Sequence, residues 1–164
     1  MTVREILQIP DPRLKKPAEK VDSIDEQIEA VLHDLSDTTD ASPGFALAAP
    51  QIGESIQAIC VDVSQAKRDS PTDHGKVILV NPEVTEKNKP EVNREGCLSI
   101  PDYTADIKRY QSITVAGINP AGEMNTLHSE GWEAVAFQHE IDHLDGILFL
   151  DRVNSIKDDL FQRQ

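Results

Sequence analysis

The chain has 164 residues, of which 38% are hydrophobic and 27% charged, enough apolar material for one buried core and the size of one ordinary domain. Its net charge of −13 argues against general nucleic-acid binding, which needs a basic face. No apolar run approaches the roughly 18 residues of a membrane span. The opening residues 1–7 lack the apolar core of a secretion signal and the Arg/Ser-rich character of a transit peptide, which predicts a cytoplasmic protein. In that compartment Cys60 and Cys97 stay reduced, as packing residues or ligands.

In chain order, the first predicted helix starts at Ser23, with Glu26 completing a capping box, and carries an apolar stripe of Ile24, Ile28, Val31, Leu32 and Leu35. Stretches 56–63, 77–80 and 113–118 are rich in β-branched residues and read as strands. Asn81-Pro82 and Asn119-Pro120-Ala121-Gly122 read as turns, and the polar stretch 64–76, with Pro71 and Gly75, as a surface loop. A second helix spans 131–144, with Trp132, Ala136, His139 and His143 along one stripe and Gly146 placed to end it. A short final helix is expected within 154–161. Runs of strands with a helix before and after predict an α+β domain whose sheets wrap one helix.

The chemistry concentrates in His139-Glu140-Ile141-Asp142-His143. Two histidines four apart on a helix lie on one face, about 6 Å apart along the axis, so both imidazoles reach one metal ion. The glutamate beside the first histidine reaches a water on that ion and serves as its general base. A catalytic ion of this kind takes three protein ligands. A thermolysin-like site needs a downstream Glu, but none follows Glu140, and the longer metzincin pattern needs a histidine where Phe149 stands. Cys97 is the economical third ligand, because Gly, Glu and Ser surround it. Cys60, inside Ile59-Cys60-Val61, reads as a buried hydrophobe. His33, His74 and His128 are isolated and read as ordinary.

These residues resemble the peptide deformylase family. Gly44-Phe45-Ala46-Leu47-Ala48-Ala49-Pro50-Gln51, Glu95-Gly96-Cys97-Leu98-Ser99 and Gln138-His139-Glu140-Ile141-Asp142-His143-Leu144 match its three motifs in order, and Ile9-Pro10-Asp11-Pro12-Arg13-Leu14 resembles its opening stretch. The resemblance covers nearly the whole chain. It implies a single catalytic domain over 1–164, with antiparallel sheets packed around a central metal-binding helix. The implied activity is hydrolysis of the N-formyl group from the formylmethionine of nascent peptides, releasing formate. Cys97, His139 and His143 would hold one divalent ion, Fe²⁺ as the expected native metal, with Zn²⁺, Ni²⁺ or Co²⁺ taken up in preparations. Glu140 would be the general base, with Gln51 and the Leu98 N–H stabilising the oxyanion. Peptide contacts would come from Gly44, Phe45, Ala46, Leu47, Glu95 and Gly96. Trp132, Val135 and Ala136 would line a methionine pocket, ordinary helix packing being the competing reading for Trp132. Asp142 is the candidate to orient a ligating histidine.

The chain departs from the family pattern at three positions. Ala46 stands where Gly is usual and would be strained if φ were positive there. Thr104 stands near the place of an arginine, and Asn93 at a spot commonly apolar, which would make the pocket more polar. The basic C-terminal helix through which some members dock on the ribosome is diluted here by Asp158 and Asp159 beside Lys157 and Arg163, so docking is not carried over. Two readings stand beside deformylation: hydrolysis of another N-acyl peptide on the same scaffold, and binding of acyl peptides without cleavage.

Overall fold

Strand alternation builds this domain. In the computed structural model, which describes residues 2–163, the elements run α1 (Glu26–Ala41), β1 (Ala46–Ala48), β2 (Ala58–Asp62), β3 (Lys76–Cys97), β4 (Ile100–Ile118), β5 (Met124–Glu130), α2 (Trp132–Leu144), α3 (Ile156–Asp159) and β6 (Leu160–Gln162). Strand β2 is buried along its entire length. Ile59 and Val61 pack with Ala134 and Phe137 of α2, while Ala58 and Cys60 pack with Leu32 and Leu35 of α1. Side chains on a strand alternate faces, so one apolar run serves two layers. The same division recurs in β3, where Val77 and Leu79 face α2 and Val80 faces α1.

All the strands join one antiparallel sheet in the order β1-β2-β3-β4-β5, with β6 paired to the far part of β4. Long strands β3 and β4 form a hairpin whose register shifts at Val80/Glu83, Val84/Glu86 and Glu95/Cys97. Such bulges bend a sheet sharply, and the bend folds it around α2. Asn81-Pro82 is therefore not a turn but the first bulge, with Asn81 at φ 51°. The Asn81 amide donates to Val21 O (2.8 Å) and accepts from Val21 N (2.9 Å), which pins the N-terminal segment to the bulge. Asn119–Gly122 does form a turn, between β4 and β5.

Three boundaries differ from the sequence expectation. Helix α1 starts at Glu26 with Asp25 as its cap, the carboxylate accepting from Ile28 N at 2.9 Å, instead of at Ser23. Both residue types cap well, and here it is Asp25 whose side chain meets the free N–H. Strand β3 runs far beyond 77–80 through an exposed, polar stretch at 85–92, and β4 begins well before 113, with Ala105, Ile107 and Arg109 buried in alternation. The tail holds one short helical turn, α3, and then pairs as β6 with Tyr103, Thr104 and Ala105. Helix α2 ends as expected, with Gly146 at φ 73°. Among the described residues no helix is long and apolar enough to cross a membrane.

Helix α2 is buried nearly all round, and Phe137 is fully enclosed among Ile59, Leu79, Ile113 and Val115. We expect Phe137→Ala to cost about 3–5 kcal/mol in urea denaturation. A loss under about 0.5 kcal/mol, as at a surface position, would contradict this packing.

Candidate metal centre and active site

The buried helix presents its histidines to the sheet. His139 and His143 stand one turn apart with ring centroids 5.1 Å apart, and the end of β3 brings Cys97 against them, its Sγ 3.4 Å from His143 Nε2. One ligand atom from each of Cys97, His139 and His143 lies within 4.8 Å of the others, and all three residues are buried. A thiolate and two imidazoles converging at that spacing fit a divalent ion held by a His₂Cys set.

The atoms around this cluster agree with that fit. His139 Nδ1 bonds Glu95 Oε1 at 2.8 Å, so its Nε2 is the nitrogen turned to the cluster. Burial disfavours charge on His139, yet Cys97, Glu95 and Glu140 more than reverse this and raise its pKa well above the ordinary range. His143 is pushed well below the ordinary range, by burial first and then by the charges of His139 and Arg109, so its ring is neutral and offers a lone pair. Among the described residues, Glu140 Oε2 and His143 Nδ1 are buried without a hydrogen-bond partner.

Glu95 is itself held. Arg109 donates to it through Nε (2.7 Å) and Nη2 (3.0 Å), and through Nη1 to Asp142 (2.6 Å). Arg152 completes the chain with 2.5 and 2.7 Å bonds to Asp142. Burial would raise the Glu95 pKa, but the His139 and Arg109 contacts pull it down to about 2, keeping it ionised. Asp142 was expected to orient a histidine; it touches neither imidazole and anchors the two arginines instead. Glu95, expected among peptide contacts, lines the cleft but turns its carboxylate to His139 and Arg109.

Gln51 sits in the helical turn Ala49–Ile52 and reaches back, its Oε1 accepting from Ala48 N at 2.9 Å. That bond fixes which end of the amide faces the cluster: Nε2 lies 3.0 Å from Ser99 Oγ and 3.6 Å from Cys97 Sγ. Leu98 follows Cys97 in the turn between β3 and β4 and lines the same cleft. Glu140 lies on α2 with Oε1 4.0 Å from His139 Nε2, and its burial lifts its pKa to about 7. A carboxylate so placed takes and returns a proton near neutral pH.

A cleft of about 890 Å³ opens over the cluster. Gly44, Phe45 and Ala46 form one wall, Gly96, Cys97 and Leu98 another, and Trp132, Val135 and Ala136 of α2 also line it. Leu47 is fully buried and faces α1, so its side chain is core rather than cleft. Ala46 does not adopt a positive φ and carries no strain. Asn93 does not line the cleft, and Thr104 is paired with Phe161 of β6. The loop after β2 closes the far side: Arg68 stacks 4.3 Å over the Trp132 ring. Fully buried Glu133 clasps that loop, accepting from Thr72 (2.7 Å), His74 N (2.8 Å) and Ser129 (2.8 Å) and pairing with His74 Nδ1 (2.6 Å).

A profile of the polypeptide deformylase family matches residues 3–159. The chain belongs to the peptide deformylase family. A peptide deformylase of Syntrophobacter fumaroxidans is 38% identical over 164 residues, which is all of this chain and 94% of the relative. A crystal structure of a deformylase from Legionella pneumophila superposes with a TM-score of 0.86 at 35% identity, covering 95% of this chain and 89% of that one. A class I type b deformylase of Acinetobacter baumannii, crystallised with Met-Ala-Ser, superposes with a TM-score of 0.83 at 29% identity, covering 93% and 99%. Deformylases depend on a metal, and the Cys97, His139 and His143 cluster is this chain's match to that need.

Sequence reasoning missed Arg109, Arg152, Ser99 and the Glu133 clasp. Arg109 had a signal: it shares strand parity with inward Ile107, where a charge demands a partner. Removing that partner tests the arrangement. Glu95→Gln is expected to cost about 3–5 kcal/mol in metal-free denaturation by leaving the buried Arg109 with only one of its two carboxylates. It is also expected to weaken the ion about 10- to 100-fold in chelator competition. The Glu133 clasp makes a pH prediction. Burial raises the Glu133 pKa, but its hydrogen bonds lower it below the ordinary 4.5. A lowered carboxylate pKa stabilises the fold above the ordinary value and loses that contribution as pH falls through the lowered one. Wild type should exceed Glu133→Gln by about 1–3 kcal/mol at neutral pH, the gap closing in acid; a pH-independent gap contradicts the clasp.

Proposed function

We infer that the chain hydrolyses the N-formyl group of formylmethionyl peptides, releasing formate and a free N-terminus. The observation that carries this reading is the convergence of the orphaned Glu140 carboxylate and the oriented Gln51 amide on the Cys97, His139 and His143 cluster. When bound there, a divalent ion supplies a water of near-neutral pKa and polarises the carbonyl. Glu140 takes the water's proton and returns it to the departing amine. Gln51 Nε2 and the Leu98 N–H donate to the oxygen that gains charge. Strand β1 is an edge of the sheet, which suits an extended peptide adding alongside Gly44 to Leu47. Trp132, Val135 and Ala136 supply apolar wall for the methionine side chain.

We assign Fe²⁺ as the native ion, with Zn²⁺, Ni²⁺ or Co²⁺ as substitutes; thiolate and imidazole suit each of these. The setting is cytoplasmic and the role is N-terminal processing during protein synthesis. A ribosome contact through the tail is not part of this reading, since β6 is committed to β4.

Chain loaded anaerobically with Fe²⁺ is expected to release formate from formyl-Met-Ala-Ser. Glu140→Ala should lower kcat about 10²- to 10⁴-fold with metal content unchanged. Gln51→Ala should lower kcat about 10²- to 10³-fold. Metal-loaded protein that releases acetate from the acetyl peptide, and no formate, would instead favour the second acyl-peptide reading.

A further inference from the structure

The cleft's charge runs against that of the chain. Acidic residues outnumber basic ones 29 to 16, yet Lys67, Arg68, Arg94 and Arg163 all line the cleft. The acidic residues lining it, Glu95 and Glu140, are buried in the metal centre.

Arg163 reaches this place by a specific device. β6 pairs Phe161 with Thr104 and Gln162 with Tyr103, and Arg163 N then donates to Asp102 O at 2.7 Å. The side chain turns back over Gly96, where any Cβ would collide with its guanidinium, and Thr104 Cγ2 lies 3.6 Å from the same point. Arg94 lies beside it, stacked 3.6 Å over the Phe161 ring and bonded through Nε to Asp106 at 2.7 Å. Arg68 lines the same cleft, stacked on Trp132. Two of the three guanidinium planes are held by aromatic rings, which costs less side-chain entropy on binding than a free arginine would.

We propose that Arg163, with Arg94 and Arg68, is a substrate-positioning residue of the cleft mouth that binds a carboxylate carried by the peptide downstream of its methionine. This rests on the deformylase reading and adds a substrate class to it. A peptide with its formyl group at the metal centre leaves the cleft through this mouth, so an acidic side chain or the C-terminal carboxylate of a short peptide meets the guanidinium groups. Arginine's planar fork suits a carboxylate in two-point contact.

The test compares formyl-Met-Ala-Ser with its C-terminal amide, and formyl-Met-Ala-Glu amide with formyl-Met-Ala-Gln amide, on the Fe²⁺-loaded full chain. The carboxylate peptide of each favoured pair should show kcat/KM about fivefold higher, mostly through KM. The advantage should vanish between about 0.01 M and about 1 M salt, as the screening length falls from about 30 Å to about 3 Å. Preference in the first pair alone assigns the C-terminal carboxylate, and in the second alone the side chain. Arg163→Gln should raise KM for the carboxylate peptide, Arg163→Lys should restore part of the preference, and Lys157→Gln, the same charge change away from the cleft, should leave the ratio intact. Equal kcat/KM within both pairs at low salt, or a full preference surviving Arg163→Gln, overturns the proposal. Absence of formate from all four peptides overturns the deformylase reading, and the proposal with it.

Discussion

Arg109 holds two buried carboxylates at once, Glu95 on β3 and Asp142 on α2, and the metal centre hangs from that grip. Glu95 sets the ring of His139; Asp142, one residue before His143, ties the same helix to β4 and, through Arg152, to the turn Phe149–Arg152. Burying so much charge is expensive, and a packed apolar cluster of equal volume would serve stability as well or better. What the charges supply is direction. A hydrophobic contact tolerates sliding; a two-point guanidinium–carboxylate contact does not. The ligands must point at one spot, so the chain accepts the cost of desolvation where it needs aim.

The groups of the site come from three kinds of element. The helix contributes the histidines and Glu140, the end of a long strand contributes Cys97, and a helical turn contributes Gln51. None of these is on a free loop, and His139 and Gln51 are further aimed by hydrogen bonds to Glu95 and Ala48 N. The peptide-binding side is built differently. There the loop after β2 and the tail beyond β6 fold over the cleft, tied down by the Glu133 clasp and by strand pairing.

The sequence carried the parts of this design that depend on short-range pattern. Periodicity marked both long helices, β-branched runs marked the buried strands, and the HExxH spacing with a lone cysteine among polar neighbours marked the ligands. Three kinds of information were out of its reach. The outer half of β3 is a strand because it pairs with β4, not because of any apolar alternation, and on β4 the buried alternation of Ala105 and Ile107 runs into the charged Arg109. Asn81-Pro82 reads as a turn in isolation, and only the Val21 bonds and the partner strand show a bulge. Ionic partners separated by many residues, such as Arg109 with Asp142 or His74 with Glu133, leave no local trace beyond an oddly placed charge.

Strand β3 delivers Cys97 to a helix that lies far along the chain, 46 residues separating the thiol from His143. A partly folded chain that has formed α2 but not closed the β3–β4 hairpin offers an ion two imidazoles and no thiolate. High-affinity capture thus waits for long-range closure, and the ion ratifies a finished fold instead of nucleating one. Its binding free energy accrues only to the native state, so the apparent resistance of the chain to unfolding tracks the free metal concentration around it. Metal scarcity would thereby act on the lifetime of the protein as well as on its chemistry.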